Sequence, residues 1–273
     1  MSRQWTPCCA REPGVYNFGV RMLGNLDDAR DASQEILLKV VTHLAGFLLE
    51  AAFSTWVYRI AYNHLLTAAT RSRESPEVSF EAIADKLQQG LDFGRRQIPV
   101  QLDSGVMTPE DKADAVGVAI GCTQGMLLAL GRDQRLAYLL DVVFGLASEQ
   151  AGEVIGISAA AFRKRLSRAR ERLAGFTRNT CGLIDADRPC RCDRQLPAIR
   201  ARATIESTQD AAMRLEPPPD VLAKAEFAQW QAFGDAAAIF RSHPEYRAPG
   251  EMTGAIRQLL IARGYLQGGV VPI

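Results

Sequence analysis

Residues 146–173 read LASEQAGEVIGISAAAFRKRLSRARERL, and their spacing predicts two helices joined by a sharp turn. Ser148 stands where it can cap the first helix, which turns Val154 and Ile155 inward. Gly152 and Gly156 lie four apart, one where two helices cross closely and one where the chain must turn. Ile157 follows as a core plug, and Ser158 as the cap of the second helix. On that helix Phe162, Leu166, Ala169 and Leu173 step by three and four onto one face. Arg163, Lys164, Arg165, Arg168, Arg170 and Arg172 occupy the rest. Residues 158–178 hold seven bases and one acid, a net of +6. A solvated surface helix usually interleaves both signs. A narrow apolar stripe ringed by arginine suits the major groove, where guanidinium forks meet guanine edges and phosphates. A DNA-binding helix-turn-helix is the reading.

Outward from this motif the helical period continues. Ala29, Ala32, Ile36, Val40 and Leu44 share one face of a helix that follows the break at Gly24-Asn25 and starts with Asp27-Asp28. Phe53, Trp56, Val57, Ile60 and Ala61 repeat the pattern, with Ser54 as a cap. Residues 75–115 carry Pro76, Gly90, Gly94, Pro99, Gly105 and Pro109, and residues 74–115 hold nine acids and four bases. They read as a flexible acidic linker with a short helix at Phe80–Leu91. Past residue 178, Pro189, Pro197 and Pro217–Pro219 punctuate an extension whose expected helices are Val221–Phe240 and Met252–Arg263. The fold expectation is all-α: helical domains at 14–74 and 116–178, the linker at 75–115, and a mostly helical extension at 179–273.

Over 273 residues, 47% are apolar and 23% charged, and 32 Lys+Arg against 31 Asp+Glu leave a net charge of +1. Two domains fit this length. The molecule as a whole has no field that would draw it to nucleic acid or an anionic membrane, so attraction must come from local clustering. No apolar run approaches the ~20 residues of a membrane span, and Met1–Gly14 lacks the order of an export signal. A cytoplasmic location without a membrane partner is expected. Six cysteines are too few for a disulfide scaffold of this size.

Two separated stretches carry a family resemblance. Arg21-Met-Leu-Gly-Asn-Leu-Asp-Asp-Ala-Arg-Asp-Ala-Ser-Gln-Glu35 followed by Phe53-Ser-Thr-Trp-Val-Tyr-Arg-Ile-Ala-Tyr-Asn63 resembles region 2 of the extracytoplasmic-function sigma factors of bacterial RNA polymerase. The stretch from Gly145-Leu146 through Gly156-Ile157 to Leu173 resembles their region 4. The resemblance covers roughly residues 14–74 and 116–178. It implies a promoter-recognising subunit that joins core RNA polymerase, binds promoter DNA, admits an anti-sigma factor as a further partner and performs no covalent chemistry.

By the same resemblance, Asp28, Asp31, Gln34 and Glu35 are polymerase contacts, although solvated acids on a capped helix would also account for Asp27 and Asp28. Trp56, Arg59 and Asn63 fall to the minus-ten region, with Tyr58 and Tyr62 as helpers. Trp56 also lies on the apolar face beside Phe53 and Ile60, so core and DNA roles both stand for it. Ser158, Arg163, Lys164, Arg165, Arg168 and Arg170 fall to the minus-thirty-five element.

The sequence also departs from the family. The loop Phe47-Leu-Leu-Glu-Ala-Ala-Phe53 lacks the arginine and glycine with which relatives pocket a flipped base. Met1–Gly14 replaces a polar helical lead-in, which points to another start codon.

Cys181, Cys190 and Cys192 form a C-x8-C-x-C pattern. It admits zinc, with Asp185, Asp187, Asp193 or His243 as a fourth ligand, or an oxidisable pair whose thiolates Arg188, Arg191 and Arg194 favour. Three reduced cysteines without a role is the bland alternative, and no cofactor is the expectation. A stand-alone helix-turn-helix regulator, or a thiol- or zinc-based sensing module, are the rival functions. No Gly-rich cofactor loop or nucleophile triad supports an enzyme.

Overall fold

The computed structural model describes residues 14–47, 52–71, 78–97, 107–205 and 236–241, together with Tyr246, Gly254, Gln258 and Ile261. Most of the Val221–Phe240 and Met252–Arg263 segments, residues 1–13 and most of the Phe47–Phe53 loop lie outside them. Among the described residues every regular element is helical. None is long and apolar enough to cross a membrane. The chain forms two compact units, one of Met1–Arg73 with Glu153–Gly156 and Glu245–Ile273, the other of Glu74–Gly152 with Ile157–Pro244.

The first unit is built on α1 (residues 14–23), α2 (Leu26–Thr42) and α3 (Phe53–Arg71). In α1 nearly every side chain is buried, Val15, Phe18 and Val20 almost completely. A helix buried on nearly every side is a core helix, even though it carries the buried polar side chains of Asn17 and Arg21. It stops at Gly24, whose φ of 73° no β-carbon-bearing residue adopts cheaply. Asn25 Oδ1 then accepts from the amides of Asp27 and Asp28 at 2.9 and 3.0 Å and starts α2.

Ala29, Ala32, Ile36 and Val40 are buried as their period predicts, while Leu44 lies past the helix in a 3₁₀ turn (Leu44–Gly46). A β-carbon on Gly19 would touch Ala29 and Ser33 at 3.4 Å, so α1 and α2 cross closely. On α3 the buried apolar side chains are Val57, Tyr58, Ala61 and Leu65 rather than Trp56 and Ile60, which are half-buried. Each fully buried Phe18, Ile36 or Leu65 contributes about 1.5–3 kcal/mol of apolar burial. Ser54 does not precede α3 as a cap but sits inside its first turn.

The second unit contains α4 (Phe80–Gln97), α5 (Pro109–Leu128), α6 (Arg132–Tyr138), the first part of α7 (Ser148–Ile155), α8 (Ala159–Thr180), α9 (Leu196–Ile205) and α10 (Ala236–Arg241). The segment read as a linker therefore holds an 18-residue helix, longer than the expected Phe80–Leu91. The reason lies in partners distant in sequence. Gln195 Nε2 donates to the Leu87 carbonyl at 2.9 Å, Ile83 and Leu91 are buried, and α9 packs along α4. Pro109 is not a breaker but the first residue of α5. Thr108 caps that helix in a reciprocal box with Asp111.

Arg135, pulled down to about 10 by burial and by Arg132, stays charged at neutral pH. Its guanidinium donates to the carbonyls of Leu127, Leu128 and Leu130 at 2.7–3.2 Å and so completes the end of α5. A π turn over Leu139–Val143 carries α6 toward the motif. Phe240 of α10 is buried edge-on against Tyr138, with ring centroids 5.1 Å apart.

Candidate nucleic-acid interface

The helix-turn-helix forms on the expected glycines. A β-carbon on Gly152 would lie 2.7 Å from the Ile157 carbonyl oxygen, which is why only glycine fits where the turn closes on α7. The Ile157 amide donates to the Gly152 carbonyl at 3.0 Å. Gly156 takes the turn itself, at φ 71°. Two expectations are corrected. Ser148 is the first residue of α7 rather than its cap, and Gln150 Oε1 accepts from the Ala147 amide at 3.4 Å just before it. Ile157 is half-buried instead of a core plug. Ser158 caps α8 as expected, its hydroxyl accepting from the Ala161 amide at 3.2 Å.

On α8, Phe162, Leu166, Ala169 and Leu173 are all buried. This anchors the helix and leaves the basic side chains outward. Several of those are already engaged. Arg163 pairs with Glu149 at 3.2 Å, Arg165 with Asp133 at 3.3 Å, and Arg170 with Asp141. Arg172 donates to Gln134 at 3.0 Å and lies over the Phe80 ring, 5.2 Å from its centroid. Lys164 and Arg168 are exposed and make no such pair among the described residues. The periodicity exposed which face is basic, but not that acids on α6, the π turn and α7 hold part of it. Those acids come from segments that the α8 pattern says nothing about.

In the first unit, Trp56, Arg59 and Asn63 follow one another at i, i+3 and i+7, a single stripe of α3. Arg59 and Asn63 are exposed and Trp56 half-buried. Trp56 packs in an aromatic trio with Phe47 and Phe53, centroids 5.3–5.7 Å apart. Tyr62 is half-buried. Tyr58 is a core residue, edge-on to Phe18 at 5.8 Å, and is not available to DNA.

Asp28, Asp31 and Glu35 form an exposed stripe of α2, with Gln34 half-buried beside it. Glu35 faces His64 Nε2 of α3 at 3.6 Å, while His64 Nδ1 meets Lys39 Nζ at 2.9 Å. This link had no signature in the α2 motif.

Cys181, Cys190 and Cys192 lie near one another, and Cys122 of α5 joins them. Spacing could not have shown this, because Cys122 lies far upstream on another helix. The cysteines are free thiols. Burial raises Cys190 and, more strongly, Cys192. The nearby arginines were expected to lower them, but Arg194 offsets only part of the burial effect at Cys190. Burial thus disfavours the thiolate form at Cys190 and Cys192. Among the described residues no three donors are grouped to hold a metal ion.

These elements match known families. Residues 10–74 match the family model for Sigma-70 region 2, and residues 120–173 the model for Sigma-70, region 4. The chain is 28% identical over 159 residues to the ECF RNA polymerase sigma factor SigW of Bacillus subtilis, covering 58% of this chain and 80% of that one. It is 31% identical over 160 residues to the ECF RNA polymerase sigma factor SigG of Mycobacterium tuberculosis, covering 56% of this chain and 43% of the relative. A solved structure, the sigma factor RpoE with the anti-sigma factor NepR from Bartonella quintana, matches 65% of this chain and 98% of its own, with a TM-score of 0.44 and 19% identity. The chain, with regions 2 and 4 in that order, belongs to the extracytoplasmic-function sigma factors.

Proposed function

We propose that this chain joins core RNA polymerase in the cytoplasm, recognises the minus-thirty-five and minus-ten elements of a promoter and starts transcription there. Nucleotide polymerisation belongs to the enzyme it joins. The observation that carries the reading is the presence in one chain of both family regions, one ending in the basic helix α8 and the other in the α3 stripe. Its partners are core RNA polymerase, promoter DNA and, as for this group of sigma factors, an anti-sigma protein.

In this reading the exposed acids Asp28, Asp31 and Glu35, with Gln34, meet basic residues of the polymerase. Charge complementarity between such faces sets orientation and encounter rate. Trp56, Arg59 and Asn63 meet the opened minus-ten strand, where an aromatic ring and polar groups can recapture unstacked bases. Arg163, Lys164, Arg165, Arg168 and Arg170 meet the minus-thirty-five duplex, and Ser158 sets the helix end that enters the groove. The test is reconstitution of the full chain with core polymerase and mapping of transcript 5′ ends. Association and discrete start sites support the reading. Failure to associate with core polymerase at any ionic strength overturns it.

A further inference from the structure

We propose that His64 is a positioning residue of the polymerase-docking face. Its imidazole bridges Glu35 and Lys39 of α2 and holds them as two separate outward charges. The face thereby runs one helical turn past Glu35, and the partner surface it fits carries an acidic group opposite Lys39. This deepens the functional reading above and rests on it. Asp28, Asp31, Glu35 and Lys39 succeed one another at intervals of three and four, the spacing of one helical stripe, and all four are exposed. Ala29, Ala32, Ile36 and Val40 are buried on the other side of the helix. The stripe is acidic for two turns and basic at its end.

On a bare helix Glu35 and Lys39, four apart with the acid first, would pair with each other. Among the described residues no ion pair joins them directly. Lys39 Nζ goes instead to His64 Nδ1 at 2.9 Å, and Glu35 Oε2 lies 3.6 Å from His64 Nε2. An ammonium has only protons to give, so Nδ1 accepts and the proton of the neutral ring sits on Nε2, on the side of Glu35. At 3.6 Å that N–H steers the carboxylate without closing a full hydrogen bond. Glu35 therefore keeps its acceptors for a partner, with a side chain 66% exposed against 10% for the ring. Lys39 keeps two of its three N–H groups. A nearly buried ring thus presents both charges and cancels neither. Neighbouring Asn63 is exposed, so one turn of α3 shows one side chain to solvent and the next to α2. Lys39, in the last turn of α2, also complements the helix dipole. That effect does not pass through residue 64, which makes the two separable.

The test uses the full chain and has two parts. Nitrogen NMR of the His64 imidazole should show a neutral ring with its proton on Nε2. Lys39→Ala should move the Nδ1 signal, as the loss of an accepted hydrogen bond does. A proton on Nδ1, or an Nδ1 signal indifferent to Lys39→Ala, would overturn the bridge whether or not polymerase binds. Affinity for core RNA polymerase is then compared among variants. His64→Phe keeps a planar ring but removes both nitrogens, and it should weaken association about 2–5-fold. His64→Gln supplies one acceptor and one donor in a planar amide, and it should recover most of that loss. Lys39→Glu should weaken association further than Lys39→Ala. His64→Gln as weak as His64→Phe, or Lys39→Glu no worse than Lys39→Ala, would overturn the docking role. A chain that does not associate at all overturns the functional reading, while the nitrogen signals still decide the bridge.

Discussion

Asn17 and Tyr246, 229 residues apart in the chain, are joined by two hydrogen bonds. The Asn17 amide nitrogen donates to the Tyr246 carbonyl at 2.9 Å, and the Tyr246 amide donates to Asn17 Oδ1 at 2.8 Å. One side chain thus satisfies both backbone groups of a residue that is 2% exposed. Helix α1 of the region 2 unit carries a receptor for a piece of the C-terminal extension. Asn17→Ala strands a buried N–H and C=O together and should cost about 2–3 kcal/mol. Hydrogen exchange at the Tyr246 amide reads this directly. Protection equal to that of the unaltered chain would mean the pairing is not what holds the extension there.

The Tyr246 phenol predicts an alkaline effect. Burial pushes it up to about 12, with Tyr16 adding to the shift and Arg21 opposing it. A group whose pKa is raised on folding contributes stability that is fully present below its unfolded value, near 10, and is lost as pH rises through the folded value. The hydroxyl is also buried without a hydrogen-bond partner among the described residues. Tyr246→Phe should therefore match or exceed the unaltered chain at neutral pH, and its advantage should grow between about pH 10 and about pH 12. Chemical denaturation at the two ends of that window measures it, and a constant difference would refute the assignment.

The turn of the helix-turn-helix separates two kinds of glycine. At Gly152 an added methyl meets backbone, the Ile157 carbonyl at 2.7 Å, which cannot swing aside. At Gly156 there is open space, but the backbone is left-handed. Gly156→Ala should cost about 1–2 kcal/mol of strain. Gly152→Ala should cost as much or more, about 1–3 kcal/mol, and should also displace α8. Duplex binding should fall further for Gly152→Ala than stability alone explains. Equal affinities at equal stability would show that the crossing does not position α8.

What could be read in the sequence was what repeats locally. The stripe Phe162–Leu166–Ala169–Leu173 and the cap at Ser158 follow from spacing and side-chain chemistry, and all stand in the fold. The glycines at 152 and 156 were legible for the same reason. Tyr58 was misjudged because its ring is buried by Phe18, a residue on another helix. Helix α4 was underestimated because α9, a hundred residues on, packs along it and Gln195 fastens it. Cys122 joined the other cysteines only in three dimensions. The acids that hold the α8 arginines were visible as letters, but nothing in their positions said which arginine each would meet.

Those acid partners divide the basic face. Each phosphate contact that a substitution removes lowers the salt slope of DNA binding by about 0.9. Among the described residues Lys164 and Arg168 have no ion-pair partner to leave before meeting phosphate, whereas Arg170 must leave Asp141. Arg168→Ala and Lys164→Ala should therefore each remove close to a full contact's slope, and Arg170→Ala less. Asp141 is only 23% exposed at its side chain, so solvent screens this pair less than the outermost ones. The reverse experiment is sharper. Asp141→Asn frees Arg170 without touching any DNA-facing side chain, and it should tighten duplex binding and steepen the slope by up to about 0.9. Titrations of polymerase-bound chain on promoter DNA across salt would show this. A slope left unchanged by Asp141→Asn, with Arg170→Ala as costly as Arg168→Ala, would mean that Arg170 engages DNA as freely as its neighbours and that the acid does not restrain it.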